Sequence, residues 1–269
     1  MKTVPALMHF PPGLLPLMAS YLGPDSLIIA GGIGGNDGLP RSSADCYSFT
    51  TKSWCTKAWM STARIAAAAV VIGDRMLVFG GHNGSDEKLD TCEAFDPVAD
   101  AWCPLPPMLV VRHPISAVEW GGRAFVFGRV RGSTIFSGEC FDPVLGTWSP
   151  IAPMTTTHYN IAVVAVPSRG IFVMDGAADD QVVQIFHPDR NVWSSMKWKL
   201  PFPASIHTLF CIDTILYFVG ANPGDRRARC HSMDLVQSPP TWKRLSSLAL
   251  PFPIRGMTSV LVDVPSHAL

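Results

Sequence analysis

Four sets of residues in this 269-residue chain are of types that could do chemistry: a glycine-rich stretch, the cysteines, the histidines and a set of evenly spaced arginines. The stretch GGIGGNDG at 31–38 follows an apolar run, as a phosphate-cradling loop does. A dinucleotide loop, however, needs G-x-G-x-x-G opening a helix. Counted from Gly32 the sixth place is Asp37, Pro40 follows, and no Gly-Lys-Ser/Thr occurs anywhere, so phosphate binding is not expected. The seven cysteines are odd in number and contain no C-x-x-C, which argues for free thiols over a disulfide framework or a zinc site. None of the eight histidines forms H-x-x-H or H-x-x-x-H, and no G-x-S-x-G selects a nucleophilic serine. The arginines are more regular. Laying Phe79 on Phe127 places Arg64 on Arg112 and Arg75 on Arg123 without a gap.

The totals exclude several classes. The 21 basic and 21 acidic residues cancel, and the one dense basic cluster, DRRAR at 225–229, reads as a solvated loop, so no nucleic-acid partner is expected. An apolar content of 48% against 16% charge gives a chain able to fill a core. No charge occurs between Lys2 and Asp25, yet Pro5, Pro11, Pro12, Pro16 and Pro24 break any helix there. A secretory leader is therefore not expected, nor a membrane segment, and the free thiols point to the cytoplasm.

The elements that must position these residues repeat. Apolar runs ending in glycine recur as LIIAGG (27–32), MLVFGG (76–81), AFVFGR (124–129), IFVMDG (171–176) and LYFVG (216–220). Each is followed by an anchor, Phe49, Phe95, Phe141, Phe186 or Met233, and then by Trp54, Trp102, Trp148, Trp193 or Trp242, the tryptophans being 48, 46, 45 and 49 residues apart. Proline-rich corners such as PLPPM (104–108) and PIAPM (150–154) separate the units. One period reads as four short strands with Gly, Pro or Asp at each reversal, and no segment carries a useful helical period. A lone four-stranded sheet exposes both faces and its edges. Stacking such sheets radially in a β-propeller buries the faces and leaves only short edges.

The segment RMLVFGGHNGSDEKLDTCEAFDPVADAWCPLPPM (75–108) resembles the kelch repeat: apolar strand, double glycine, aromatic-Asp-Pro, tryptophan seven after the aromatic, then Leu-Pro-Pro-Met. The resemblance runs over residues 15–264, between an N-terminal extension (1–14) and a short tail (265–269), and implies an all-β, kelch-type propeller of about five four-stranded blades, with six as the alternative. There are departures. Arg129 stands where the third unit's second glycine belongs, and Asp175-Gly176 and Val219-Gly220 replace the pair in the fourth and fifth. In the first unit Thr50 takes the place of the turn aspartate and Trp54 follows Phe49 by five. Both 13–24 and 254–264 match the first strand of a unit, so the C-terminal segment is expected either to close the ring or to begin a sixth blade.

The resemblance implies a protein-interaction module, recruiting a substrate to a cullin-type ubiquitin ligase or binding actin. The stretch before Leu27 is too short for a BTB, BACK or F-box segment, so a ligase role is expected to depend on a separate subunit or on a segment encoded by a missing exon. In BTB-kelch adaptors, arginines at the corner grip acidic peptides, and converging guanidinium groups suit carboxylates. The corner residues here are Arg64, Arg112, His113, Tyr159 and Arg255. His82, Asn83, Arg129, Arg131 and Arg226 lie in the variable loops, where partner contacts are usually built. For Arg64 and Arg112, bracing of neighbouring blades is an equal alternative. Arg75 and Arg123 are expected to pair with Glu93 and Glu139, which share a register two residues before Phe95 and Phe141. Cys46, Cys92 and Cys230, each three before an anchor, are expected to be small core residues in separate blades. The resemblance also admits a kelch-fold enzyme, such as a copper oxidase or a sugar-processing type. No residue here can be assigned to catalysis, to a metal or to a cofactor.

Overall fold

The structure is a computed structural model that describes residues 14–15, 18–21, 26–34, 38–84, 87–130, 136–154, 161–175, 183–196, 198, 201, 206–221 and 229–245. Among them lie five four-stranded antiparallel sheets, each drawn from one continuous segment and ordered as in the sequence. Blade one is Met18–Tyr21, Ser26–Ala30, Ala44–Ser48 and Ser53–Lys57. Blade two is Ala68–Ile72, Arg75–Phe79, Cys92–Asp96 and Ala101–Leu105. Blade three is Arg112–Trp120, Arg123–Val130, Phe136–Asp142 and Thr147–Pro150. Blade four is Ile161–Val166, Gly170–Asp175, Val183–His187 and Val192–Met196, and blade five is Ile206–Ile212, Ile215–Ala221, Arg229–Asp234 and Lys243–Arg244. A small sheet joins Leu14–Leu15 to Ile33–Gly34 and Leu39–Pro40. The first strands of successive blades run side by side, giving a five-bladed propeller.

The second strand of a blade is apolar without alternation because both of its faces are covered. In blade two, Met76 and Val78 enter the core shared with blade one, and Leu77 and Phe79 enter the core shared with blade three. Blades three and four share a third core and blades four and five a fourth, so each interface buries one face of two sheets. The tryptophans lock these interfaces. Trp102, Trp148 and Trp193 donate their indole N–H to the carbonyls of Ala58, Pro106 and Ala152, each in the corner that leads into that tryptophan's own blade. The amides of Ala58 and Ala152 are also held, by the side chains of Asp100 and Asn191, residues with φ of 47° and 52° at the end of the turn before the tryptophan.

Cross-strand pairing corrects the first unit. Tyr47, not Phe49, faces Trp54, with ring centroids 5.1 Å apart as for Phe95 and Trp102. The spacing is therefore seven residues, as in blades two to four. Ser48, not Thr50, takes the place of the turn aspartate and accepts from the amide of Thr51, where Asp96 and Asp142 each accept from two turn amides. The first strand of blade one lies within 13–24, as its pattern suggests. The segment 254–264 lies outside the described residues.

Candidate functional site: the corner end of blades two and three

One end of the propeller gathers the corners that join blades and the loops that follow the glycine strands, and the other end gathers the remaining turns. Arg64 and Arg112 stand at the first end but are not offered to a partner. Arg64 is fully buried and spends all five guanidinium N–H groups inside the blade: Nε and Nη2 on Glu93 Oε1, Nη1 on the carbonyls of Gly80 and Thr91, and Nη2 on Thr91 Oγ1. Arg112 is bonded likewise to Glu139 at 2.9 Å and to Ser137. The second oxygen of each glutamate holds the corner backbone, Ser61 N at 2.7 Å and Leu109 N at 2.7 Å. The guanidinium groups therefore brace each corner within its own blade, not one blade against its neighbour as expected, and the glutamates' partners also differ from the expected ones. Arg75 and Arg123 instead bond Asp96 and Asp142 across exposed turns at the other end. A glutamate that also fixes corner amides needs a buried partner, which the exposed arginines cannot be. Gln184 and His231 take the register place of Glu93 in blades four and five. Tyr159, Arg255, Arg131 and Arg226 lie outside the described residues.

Three of the remaining expected residues come together with one that the sequence did not single out. The rings of His82 and His113 meet edge to face with centroids 5.3 Å apart. His82 is fixed by backbone bonds to Ile65 in both directions. His113 stands where the first strand of blade three shifts register between Arg112 and Ile115, because Pro114 has no N–H for the ladder. Lys88 and the exposed Arg129 also act on the His113 ring. Asn83 instead turns inward on its own loop, donating from Nδ2 to Glu87 at 2.7 Å and from its amide to the Glu87 carbonyl. Lys88 was legible only as one more charge in a polar loop; it reaches the site because it pairs in a bridge with His82. Leu109 and Val110, on the adjoining corner, are exposed.

The site is electropositive around a neutral acceptor. Burial first, then the charges of His82, Lys88 and Arg129, lower the pKa of His113 to about 4, and its buried Nε2 has no hydrogen-bond partner. Between about 6.5 and about 4 the unfolded ring is protonated while the folded ring is not. The unfolded state then binds more protons, so stability falls as pH drops through that window. The stability of the wild type relative to His113→Gln should fall steadily from pH 7 to pH 4 in thermal melts; a constant difference would contradict this. A carboxylate seated on the cluster would reverse the shift and be accompanied by proton uptake.

The glycine pairs are not anion cradles. The amides of Gly31 and Gly32 are taken by the carbonyls of Ser43 and Arg64, and Gly80 N by Thr91. Gly81, at φ 87°, would bring a Cβ within 2.6 Å of the Ile65 carbonyl oxygen and 2.9 Å of Ala67 Cβ. All seven cysteines are free, and among the described residues no group of three or more His, Cys, Asp or Glu is placed to hold a metal ion.

Repeated four-stranded blades, an aromatic-tryptophan pair in the first four with Met233 at the aromatic's place in the fifth, and loops that vary on a constant frame define a propeller that presents surface to other proteins. The kelch motif model matches residues 63–109 and 112–155, which are blades two and three with their corners. Kelch-like protein 36 of Bos taurus is 28% identical over 109 residues, 39% of this chain and 18% of that protein. Its Mus musculus counterpart is 29% identical over the same shares. An F-box/kelch-repeat protein of Arabidopsis thaliana is 31% identical over 84 residues, 31% of this chain and 20% of its own length. Two kelch repeats are therefore present, in blades two and three, and the chain aligns with about a fifth of the length of these relatives.

Proposed function

We propose that this kelch propeller binds a protein partner through an acidic segment seated at the corner end of blades two and three. The observation that carries the reading is the cluster of His82, Lys88, His113 and Arg129 around an imidazole nitrogen with no partner. An anion satisfies that nitrogen on protonation and is drawn by two fixed cations, while Leu109 and Val110 beside it offer apolar contact for neighbouring residues of the segment. We place the module in the cytoplasm, where seven unpaired thiols persist, acting without catalysis as an adaptor that delivers a client to a ubiquitin ligase. The adaptor role draws on the F-box/kelch-repeat relative, whose own name joins the repeat to an F-box. A kelch-fold oxidase is the competing reading; stoichiometric copper or iron in the purified protein would favour it.

A random peptide library selected on the purified chain should enrich sequences rich in Asp and Glu. Lys88→Glu with Arg129→Glu should weaken the selected peptides about tenfold or more, with little change in melting temperature. Arg75→Glu, at the opposite end, should leave them unchanged. Selection of neutral or basic sequences, or acidic binding that ignores the double reversal, would overturn the reading.

A further inference from the structure

Cys46 and Cys55 stand directly opposite each other in the third and fourth strands of blade one. Directly opposed, their side chains share one face of the sheet, and the Cys55 thiol and the Ser26 hydroxyl of the neighbouring strand both act on the Cys46 sulfur. Cys46 is buried and Cys55 exposed. The same register position holds Ala94 opposite Cys103 in blade two, Cys140 opposite Ser149 in blade three and Ile185 opposite Ser194 in blade four. Among these four blades, blade one alone places a thiol on both strands. The pair is hidden in the sequence when Phe49 is taken as the anchor, which puts Cys46 three residues before it. With Tyr47 as the anchor, Cys46 is one residue before it, equivalent to Cys140 and not to Cys92.

Directly opposed residues of an antiparallel pair have Cα atoms about 4.5 or about 5.5 Å apart, both inside the roughly 4.4–6.8 Å of a disulfide. Their Cβ atoms lie about 4.5–5.5 Å apart, slightly wider than a relaxed disulfide takes, so a bond there draws the outer strand inward and stays open to reduction. We propose that Cys46 and Cys55 form a reversible dithiol–disulfide switch, closed by a low-molecular-weight disulfide such as oxidised glutathione. Exposed Cys55 reacts first. Its thiolate attacks one sulfur of the oxidant, forming a mixed disulfide and expelling one glutathione thiolate. The Cys46 thiolate then attacks Cys55 Sγ, breaking the mixed bond and expelling the second. The protein loses two electrons, the oxidant gains them, and the two protein protons end on the two released thiolates.

Burial, and after it the neighbouring Cys55, push the Cys46 thiol up, whereas the Lys57 charge and the Ser26 hydroxyl favour its thiolate. The second step should therefore quicken as pH rises, in proportion to the Cys46 thiolate.

Cys103 provides a control within the same molecule, being exposed in the same register with alanine opposite. The folded chain is treated with oxidised glutathione, quenched in acid, alkylated and mapped by peptide mass. The expected product is a Cys46–Cys55 linked peptide, with glutathione retained at Cys55 about tenfold or more below that at Cys103, because the intramolecular attack outruns any second encounter. In Cys46→Ala, which installs the residue that blade two carries there, Cys55 should keep its glutathione. In Cys55→Ser, which leaves Cys46 in place, Cys46 should stay unmodified. Retention at Cys55 of the wild type equal to that at Cys103, no modification of Cys55 while Cys103 reacts, or linkage of either cysteine to a third one would each overturn the switch.

Discussion

Replacing Glu93 by alanine should lower the free energy of unfolding by about 3–5 kcal/mol, because it strands a guanidinium that has no route to water. Arg64 is 0% exposed and directs Nε and Nη2 at that carboxylate. The amides of Ser61 and Thr62 lose their acceptor in the same substitution. Arg75→Ala removes a pair of similar length, 2.8 Å, whose arginine is 53% exposed; it should cost only about 0–1 kcal/mol. Denaturant midpoints for the two variants, taken with their slopes to confirm that the same surface unfolds, measure the contrast. A loss below about 1 kcal/mol for Glu93→Ala would mean that the corner relaxes enough to hydrate the arginine. The double replacement Arg64→Met with Glu93→Leu should recover much of the loss, since a buried pair is strongly destabilised when broken but far less when exchanged whole for apolar side chains.

The equivalent ion pair of blade three, Arg112–Glu139, separates positioning from contact at the corner end. Glu139 holds Leu109 N and Arg112, the residue before His113, so Glu139→Ala should lower stability and peptide binding together. Lys88→Glu should lower binding alone. The buried glutamates build the corner, and on the proposed reading Lys88 and Arg129 meet the partner.

Gly81→Ala should cost about 2–4 kcal/mol, combining a left-handed backbone with overpacking against a neighbouring main chain. The added Cβ would fall 2.6 Å from the carbonyl oxygen of Ile65, whose amide and carbonyl both bond His82. Backbone cannot step aside as a flexible side chain does, so the strain should pass into the bridge that fixes His82. Gly73→Ala has a comparable φ of 63° and no atom within 4 Å of the new Cβ; it should cost only about 1–2 kcal/mol. Thermal melts of the two variants would test the comparison, and equal losses would show that backbone strain, not the close approach, makes the glycine necessary.

Much of the fold can be read before any coordinate. The glycine-terminated runs, the aromatic-tryptophan spacing and the proline corners recur with one period, and local chemistry alone makes each of them a strand or a reversal. Register is legible in blades two to four, where a single aromatic stands seven before the tryptophan, and ambiguous in blade one, where Phe49 is as good an anchor by type as Tyr47. Only pairing shows that Tyr47, and not Phe49, stands opposite Trp54. The ambiguity also hides the Cys46–Cys55 pair, since a shift of anchor changes which residues face one another.

The candidate site was half legible. The shared register of the arginines and of the glutamates was visible, but four arginines and two glutamates of equal spacing allow more than one pairing. Burial decides among them: only Arg64 and Arg112 lie deep enough to meet carboxylates that also fix the corner amides. His82 and Arg129 were identifiable as loop residues and His113 as a corner residue. Their approach to Lys88 across the boundary of blades two and three belongs to no local pattern.

The sequence by itself determined the repeat, the all-β blades and the end of the propeller on which variability concentrates. Those follow from short-range preferences: glycine at positive φ, proline without an N–H, and apolar runs covered on both faces. The tertiary structure decided which charge is buried and which is free, and which thiols and imidazoles touch. Desolvation and opposition across strands depend on what a neighbouring strand or blade places against a residue, and the residue's own segment does not contain that information.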